Sequence, residues 1–486
     1  MLDLGGIEQT VTSDSEVWRI RFSDSTFTYY KSKTLYSTDT NTKDNAVYSA
    51  WEKIHSIVGK YRIPTKEFLI GLDETGKGEL IGHTVLAGTI FAMPLFKLIR
   101  DIVGPADTKI HHDFAYWDEL FQKLENLKAK GFDYLIETIP PWDVDTYKLN
   151  KIMDITYQRI LSIFLRKIEP NKCRIVIDDY GIGETLKRFF KFLEKQGAEV
   201  IIIHHADKDF LEVKTASLVS KRERELVIDR INKDQQFMVN GISIGSGNAG
   251  DKRTTVWLKK WHERKKPWPW FIKSSFTTIW QLEGKKEGPR KIVPPINETL
   301  LSKEFIDEFN KGRLSIEALS LTCSNCGSNL KSVSFSLFSE TGSKVSQLKC
   351  PICNTFIPGA ETTLRYYCGY VLPDSSIIQR NLITRDLEFS KFFADFTVIL
   401  HKVVRKECDG TSKGISEFEG LEKFYNMGRI KLIGQGRIEE IPSNLSNTER
   451  DEMIMDGCLE YNAILLSADK SMTTFAISKK IFTIYI

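Results

Sequence analysis

Apolar and polar positions alternate along residues 17–38, VWRIRFSDSTFTYYKSKTLYST, on both sides of a short Ser-Asp-Ser turn, which predicts a pair of strands. A polar run then leads into AVYSAWEKIHSIVGKY, whose apolar positions recur at helical spacing. Residues 1–64 are therefore expected to form a small β-β-α domain. Beyond Pro64 the period changes. EFLIGL (67–72), TVLAGTIFAM (84–93), RIVI (174–177) and VIII (200–203) are apolar runs of strand length, and 114–128, 147–168 and 184–197 between them carry helical spacing. Buried strands alternating with helices predict an α/β layered domain over 65–285.

The Gly-, Pro- and Lys-rich segment GKKEGPRKIVPP (284–295) reads as a connector, and NETLLSKEFIDEFNKG after it as a short helix, so 286–319 is expected to be a linker. Two C-x-x-C pairs occupy 320–360, and a second α/β pattern runs over 366–486, from YYCGYVL to the strand IFTIYI. There is no internal repeat. A chain of 486 residues with 41% hydrophobic and 27% charged residues, and no polar low-complexity tract, is expected to fold as several globular domains. The N-terminal stretch has no basic segment leading into an apolar one, and no stretch approaches 18 uninterrupted apolar residues, so a cytoplasmic protein without a membrane partner is expected. Oligomeric state is left open. A net charge of +4 is too small to argue for nucleic acid by itself, so local patches must carry that argument.

The chemistry begins at GLDETGKGE (71–79). Gly71, Gly76 and Lys77 have the spacing of a phosphate-binding loop, but Gly78 stands where such a loop needs Ser or Thr, and Asp73 and Glu74 would repel a polyphosphate. Adjacent carboxylates at the end of a buried strand instead suit a divalent cation such as Mg²⁺ or Mn²⁺, which takes oxygen ligands. Asp178 follows RIVI, and Asp207 follows VIIIHHA, in the same strand-end position. Taken singly, each is equally a solvated strand end or a helix cap. Together the four form a candidate constellation.

These segments resemble the type 2 ribonucleases H, including their type 3 branch. DETGKGELIGHTVLAGTI is similar to the family's opening D-E-x-G-[RKT]-G-x-x-x-G segment, DTK (107–109) to its D-S-K, and IDDYG (177–181) to its second strand motif. Ala206, Asp207, Val213, Ala216, Ser217 and Lys221 meet A-D-x(5)-V-x-x-A-S-x-x-x-K, and IGSGNAGDKRTTVWLKKW with PWFIKSSFTTIW resembles the later G-S-G-Y and R-x-S-W region. The likeness spans about 65–282. It implies a ribonuclease H-like mixed sheet with helices and a two-metal endonuclease cutting the RNA strand of RNA/DNA hybrids. Its metal ligands would be Asp73, Glu74, Asp178 and Asp207, with Asp179 an alternative to Asp178. Gly76, Lys77 and Gly78 would present donors to the ribose 2′-OH, and Lys109, Ser217, Lys221 and Asn248 would complete the substrate contacts. Asn248 stands where type 2 members have a junction-sensing Tyr, Lys77 replaces the usual Arg, and Glu79 and His83 replace prolines. An acidic residue after the loop and a β-β-α N-terminal unit are more like the type 3 branch, whose extra domain is a TATA-binding-protein-like substrate grip.

Lys259, Lys260, Arg264, Lys265, Lys266 and Lys273 interleave with Trp257, Trp261, Trp268 and Trp270. Such a cluster either contacts phosphates and stacks on bases or is core packing with a solvated basic edge. Cys323, Cys326, Cys350 and Cys353 have the spacing of two knuckles around one structural Zn²⁺, a four-cysteine zinc ribbon, with a redox pair as the competing use. In the C-terminal segment Asp374, Glu407, Asp451 and Asp469 repeat the strand-end logic. LPDSSII, VVRKE and RDEMIMDGCLEYNAILLSADK resemble successive motifs of PIN-domain nucleases, an α/β fold. That likeness implies a second Mg²⁺ or Mn²⁺ site on those four acids, with Ser467 beside it and Asp456 an alternative to Asp451. The whole reads as a multidomain nucleic-acid enzyme acting on a hybrid or structured RNA. The alternatives are a non-catalytic RNA- or hybrid-binding scaffold, and an RNA-processing nuclease in which only the C-terminal site is active.

Overall fold

In the computed structural model, which describes residues 2, 5–31, 35–38, 47, 64–104, 106, 112–291, 300–311, 315–340, 343–389 and 392–486, the alternating N-terminal stretch folds as a hairpin. Its strands β2 (Glu16–Phe22) and β3 (Ser25–Tyr30) turn at Ser23-Asp24, with Ser23 at φ 54°. Two short strands unforeseen in the sequence, β1 (Ile7–Gln9) and β4 (Leu35–Ser37), flank them in an antiparallel sheet of order β1-β2-β3-β4. Ser25, Phe27 and Thr28 of β3 are buried, Phe27 fully. The helix expected to complete this domain lies outside the described residues apart from Val47. Residues 1–64 with 208–210 form one unit, and residues 65–207 with 211–486 a second.

The second unit contains two large sheets. The first has the order β7-β6-β5-β8-β9, from β5 (Phe68–Thr75), β6 (Thr84–Ala92), β7 (Phe132–Ile139), β8 (Cys173–Asp178) and β9 (Glu199–Ile203). It is mixed: β6 runs antiparallel to β5 and β7, while β8 lies parallel to β5 and β9. Four of these strands coincide with the apolar runs. The fifth, β7, alternates buried and partly exposed residues and carries Asp133 and Glu137, so it lacks the apolar continuity that marks the others.

Helix α1 (Leu149–Phe164) lies on one face of this sheet and α2 (Leu211–Lys233) on the other. Gly88 of β6 meets Ile160 and Phe164 of α1. On the opposite face, a Cβ at Gly71 would overlap the Glu212 carbonyl of α2, so the helix backbone rests directly on the strand. The Thr89 hydroxyl donates to that carbonyl at 3.0 Å. Arg174 of β8 grips the Glu212 carboxylate with two hydrogen bonds, Nε at 2.7 Å and Nη2 at 3.0 Å, both side chains at most 2% exposed. This doubly bonded pair fixes where α2 crosses the sheet.

Helix α1 is buried on every side from Ile152 to Phe164, because its far face packs on the C-terminal half of the chain. Gln158 Nε2 donates to the Phe309 carbonyl at 2.9 Å. Arg159 pairs with Glu137 at 2.9 Å and donates to the carbonyls of Arg365 and Tyr366 at 3.0 and 2.8 Å. Asp143 accepts from the Tyr366 hydroxyl at 2.5 Å. The expected short helix in the linker is Lys303–Asn310, capped by Ser302.

The second sheet has the order β13-β12-β18-β17-β14-β15-β16. Its strands are β12 (Ser332–Glu340), β13 (Ser343–Lys349), β14 (Tyr370–Pro373), β15 (Thr397–His401), β16 (Lys431–Gln435), β17 (Ile464–Ser467) and β18 (Thr483–Tyr485); a separate pair, β10 (Leu321–Thr322) and β11 (Asn329–Leu330), precedes them. The five strands β14 to β18 are all parallel, and β12 runs parallel to β18. The hairpin between the two cysteine pairs is thus part of the C-terminal sheet and covers an edge that β18 would otherwise expose. Among the described residues, no helix is long and apolar enough to cross a membrane.

Gly71→Ala is expected to lower the stability of the second unit by at least about 2 kcal/mol in urea denaturation, because backbone rather than a pliable side chain blocks the new methyl. Gly78→Ala, whose Cβ would meet nothing within 4 Å, is expected to leave the midpoint unchanged.

Candidate functional site

Strand β5 ends in Asp73 and Glu74, whose side chains leave on opposite faces of the sheet because strand residues alternate. Asp73, 7% exposed, is met on the α2 side by the Ser217 hydroxyl. Glu74 is met on the α1 side by the Tyr157 hydroxyl at 3.5 Å. Asp178 closes the neighbouring strand β8 and accepts the His205 N–H at 2.8 Å, and Asp207 follows β9, half-buried. Burial pushes the Asp73 carboxyl well above its ordinary range, and the charges of Glu74, Asp178 and Asp207 add to the shift. Glu74 is pushed up to about 7, by burial and by Asp178 against the opposing pull of Lys77. Asp178 is raised as well, by burial and by Asp207. These four carboxylates therefore share one electrostatic neighbourhood. Asp179 does not join them: burial raises it, but the N–H groups of Gly181 and Ile182, at 2.9 and 3.2 Å, more than offset that and hold it below the ordinary range.

A set of oxygen donors that repel one another fits a hard divalent cation such as Mg²⁺ or Mn²⁺. Asp73, Glu74, Asp178 and Asp207 would hold it. No three of them bring their oxygens within 4.8 Å of one another, a closeness that among the described residues only the cysteine quartet reaches.

The glycine segment follows directly on these strand-end acids, at 76–78. Gly76 has φ +85°, and a Cβ there would lie 2.5 Å from the His83 carbonyl oxygen, so glycine is required. Its own carbonyl accepts a hydrogen bond from Lys273 Nζ, which also reaches the Thr84 hydroxyl at 3.2 Å. Arg224 binds Glu79 and the Ser246 carbonyl, and the Gly247 carbonyl accepts the N–H groups of Leu80 and Ile81 at 3.0 and 3.2 Å. The two glycine-containing loops are thereby clamped together. Gly78 is exposed. The side chain of Lys77 donates to the Tyr180 carbonyl at 2.6 Å, 5.1 Å above that ring, where its charge opposes the rise of Glu74.

Of the other expected contacts, Ser217 touches Asp73, and Lys221 is paired with Glu225 at 3.3 Å. Asn248 is exposed, its Oδ1 accepting the Gly250 N–H at 2.9 Å, and Lys109 lies outside the described residues. The basic and aromatic cluster separates into two parts. Trp257 and Trp261 are core residues whose indoles donate to the Phe237 and Pro267 carbonyls, and Trp268 donates to Glu283. Lys273 leaves the patch altogether: it is 0% exposed, and burial with Arg224 pushes it down to about 7. Its tie to Gly76, like those of Tyr157 and Arg224, joins segments remote in sequence and carries no local signature.

A second quartet gathers at the C-terminal ends of β14 and β17. Strand order reverses there, because β15 and β16 continue to one side of β14 and β17 and β18 lie on the other, the place where open parallel sheets form a crevice. Asp374, buried, accepts from the hydroxyls of Ser376 at 2.5 Å and Ser467, and from the Ile377 N–H at 3.1 Å. Glu407 lies on α4 (Lys402–Cys408), 3.9 Å from Arg450. Asp451 lies on α5 (Asn447–Tyr461), raised by burial and then by Glu407, Asp469 and Asp374, so it senses all three. Asp469 accepts the Ser471 hydroxyl and N–H at 2.6 and 2.7 Å, which hold it below the ordinary range.

The four cysteines form the third cluster. Cys323 and Cys353 sulfurs lie 3.7 Å apart and those of Cys326 and Cys350 3.8 Å, with all four inside 4.8 Å. A tetrahedron with Zn–S bonds of about 2.3 Å has edges of about 3.8 Å, so the quartet fits zinc. Each C-x-x-C closes the same way, the Gly327 and Asn354 N–H groups donating to Cys323 and Cys350 carbonyls from left-handed backbone.

Residues 70–279 match the family model of ribonuclease HII. The ribonuclease HII of Saccharolobus solfataricus is 29% identical over 211 residues, covering 43% of this chain and 91% of its own; that of Methanobrevibacter smithii is 28% identical over 224 residues, covering 45% and 99%. The crystal structure of the ribonuclease H2 from Pyrococcus horikoshii aligns with 45% of this chain and 97% of its own, at 23% identity and a TM-score of 0.37. With its mixed sheet flanked by α1 and α2, the segment 70–279 is a ribonuclease HII family domain of ribonuclease H-like α/β fold, carried within a longer chain.

Proposed function

We propose that this chain is a divalent-metal-dependent endoribonuclease that cleaves the RNA strand of RNA/DNA hybrids at Asp73, Glu74, Asp178 and Asp207. The observation that carries the proposal is the electrostatic convergence of those four carboxylates at adjacent strand ends inside the matched domain. Bound divalent ions would supply an activated water and stabilise the leaving 3′-oxygen. The chain's own part is positional. The Arg224 and Lys273 clamps fix the glycine segment that follows the acids, and in this reading Gly76–Gly78 offer backbone donors to a ribose 2′-OH, the group that marks RNA. Lys77 offsets part of the negative charge. Exposed Asn248 occupies the place of the junction-sensing Tyr, which favours longer hybrids over single embedded ribonucleotides.

We assign the C-terminal quartet, Asp374, Glu407, Asp451 and Asp469, to a second hydrolytic site of PIN type, supported by its place where the order of the parallel strands reverses. We assign Cys323, Cys326, Cys350 and Cys353 to a structural zinc, supported by their sulfur spacing. The domain limits 1–64, 65–285, 320–360 and 366–486 stand in this reading as functional segments, the last two sharing one sheet.

Matched RNA/DNA, RNA/RNA and single-stranded RNA substrates, assayed in Mg²⁺ and in Mn²⁺, test both sites. Loss of an outer partner of a metal ligand typically costs about 10–100-fold, so Asp73→Asn, which removes a ligand, is expected to reduce hybrid cleavage by more than about a hundredfold. Asp374→Asn is expected to leave hybrid cleavage intact and to reduce cleavage of single-stranded RNA. Full hybrid cleavage by Asp73→Asn would sink the main assignment, and a wild-type protein that binds but cuts none of the three would favour a scaffold.

The raised carboxyls also predict a pH dependence. Asp73, Glu74 and Asp178 bind protons more tightly folded than unfolded, so their cost to folding is absent below the ordinary carboxyl range, near pH 4. It grows as pH rises and is complete for Glu74 above about 7. Without divalent ions the melting temperature is therefore expected to fall between pH 5 and pH 8 more steeply in wild type than in Glu74→Gln. The stabilisation given by added Mn²⁺ is expected to grow over the same interval.

Zinc analysis of purified wild type is expected to give about one ion per chain, and Cys350→Ser much less. Because β12 pairs with β18, that variant is also expected to loosen the C-terminal sheet, read as faster amide exchange at Thr483–Tyr485.

A further inference from the structure

Helix α3 (Lys252–Glu263) differs from α2 in how its cations are used. On α2 all six are taken up by the protein: Lys221, Arg222, Arg224 and Lys233 pair with carboxylates, and Lys214 and Arg230 bind the Gly104 and Tyr425 carbonyls. On α3 and the turn after it, Lys252, Arg253, Lys259, Lys260, Arg264, Lys265 and Lys266 take part in no ion pair among the described residues, although Arg264 Nη1 donates to the Met238 carbonyl at 3.4 Å and its guanidinium lies 5.9 Å over the Trp261 ring. All are exposed except the half-exposed Lys260. The apolar side of the helix, Trp257, Leu258 and Trp261, is spent on the core, which turns the charges outward. Arg253, Lys260 and Arg264 recur at intervals of seven and four residues and so share one stripe, about 16 Å long at 1.5 Å per residue.

This stripe is rigidly placed relative to the glycine loops. Asp251 caps α3 and also accepts the Ser246 N–H at 2.7 Å, while Thr254 in the first turn accepts the Gly247 N–H at 3.0 Å and donates to the Ile244 carbonyl at 2.8 Å. Gly247 in turn holds Leu80 and Ile81, two residues beyond the exposed Gly78. A row of cations without carboxylate partners, joined through short links to the loop that follows the acids, calls for a polyanion running out of that site. A strand presents a phosphate every 3.4 Å or so of axis, so the stripe would cover about five.

We propose that Arg253, Lys260 and Arg264, continued by Lys265 and Lys266, are a phosphate-backbone track for the flank of the hybrid duplex bound at the Asp73 site. This rests on the hybrid-cleaving reading above. It adds a sequence-independent surface that lengthens the footprint beyond the cleavage point.

The test is binding by the full-length chain in an Asp73→Asn background, which keeps the duplex intact. Fluorescence anisotropy with a 20-base-pair RNA/DNA hybrid is recorded from 50 to 300 mM salt. Arg253→Gln/Lys260→Gln/Arg264→Gln is compared with Lys187→Gln/Lys191→Gln/Lys195→Gln, an equal charge change on three exposed lysines of helix Glu184–Lys195. The first triple is expected to flatten the slope of log K against log salt by about 2–3, since each lost phosphate contact removes about 0.9. It is also expected to weaken binding by at least about tenfold at 100 mM salt. The control triple is expected to leave the slope unchanged. Equal flattening by both triples means a general charge effect and overturns the proposal. So does an unchanged slope in the first triple, the result expected if the stripe serves an acidic protein. In either case a steep parental slope leaves the hybrid reading standing, whereas a parent that binds no hybrid removes both. Matching melting temperatures for the two triples confirm that folding is not at issue.

Discussion

Repulsion among carboxylates gathered at the end of a dry sheet is the constraint on which the ribonuclease HII family domain depends. Asp73 and Glu74 are consecutive, so the pleat sends them to opposite faces, and each then needs its own support in a place with little water. Asp73 takes a hydroxyl from α2, Glu74 a hydroxyl from α1, and Lys77 stands beside Glu74. Neither helix can shift without changing one of these contacts. That gives the tight seat of α2 on Gly71, and its Arg174–Glu212 pair, a function: they fix the height of Ser217 over Asp73. A buried ion pair is weak evidence for stability in itself, but a doubly bonded one is a strong determinant of register.

The same helix that supports Glu74 also supports the second sheet. Tyr157 points to the acids, while Gln158 and Arg159, next along the helix, reach Phe309, Arg365 and Tyr366. Gly369 begins the approach to β14 at φ +70°, and a Cβ there would lie 2.5 Å from the Arg159 guanidinium, so the chain passes Arg159 at the closest distance a residue allows. A few residues later β14 ends at Asp374. One buried helix thus supports Glu74 on one side and the approach to β14 on the other, and its burial between them leaves α1 no solvent-facing side from Ile152 to Phe164.

Much of this arrangement was legible in the sequence, for a physical reason: strands buried on both faces are apolar throughout, and acids at their ends stand out against that background. Asp73, Glu74 and Asp178, and equally Asp374 and Asp469, are visible on those grounds, and Asp207 follows a run that is apolar although β9 is partly exposed. Strand β7 was not, because it carries Asp133 at an exposed position and Glu137 at a buried one, which dilute the signal. What separates Asp178 from Asp179 is equally hidden in sequence, since it is the backbone that turns Asp179 to its own Gly181 and Ile182 N–H groups. Lys273 shows the opposite error. In sequence it belongs with the lysines of 259–266, yet it is buried beneath Gly76, and only the fold distinguishes a cation that faces solvent from one that holds a loop. The hairpin 332–349 likewise follows a knuckle in sequence but pairs with β18, more than a hundred residues away, a connection no local pattern encodes.

The two quartets solve the same electrostatic problem by different means. Around Asp374 and Asp469 the donors are hydroxyls and N–H groups: Ser376, Ser467, Ser471 and the first turns of short helices. Asp374 is still raised, by burial, yet Asp469 is held low, and only Asp451 carries the charge of its neighbours as a main cause. Around Asp73, neutral donors are fewer, Glu74 rises to about 7, and the mutual charge of the acids appears in the shifts of Asp73, Glu74 and Asp178 alike. Hydroxyl donors stabilise a carboxylate without reference to a cation, whereas mutual repulsion is relieved only by a proton or a positive ion. Neutral donors therefore carry more of the support of Asp374 and Asp469 than of Asp73 and Glu74. At the first quartet Glu74 is pushed up to about 7, so a cation held there, as proposed, would compete with a proton near neutrality.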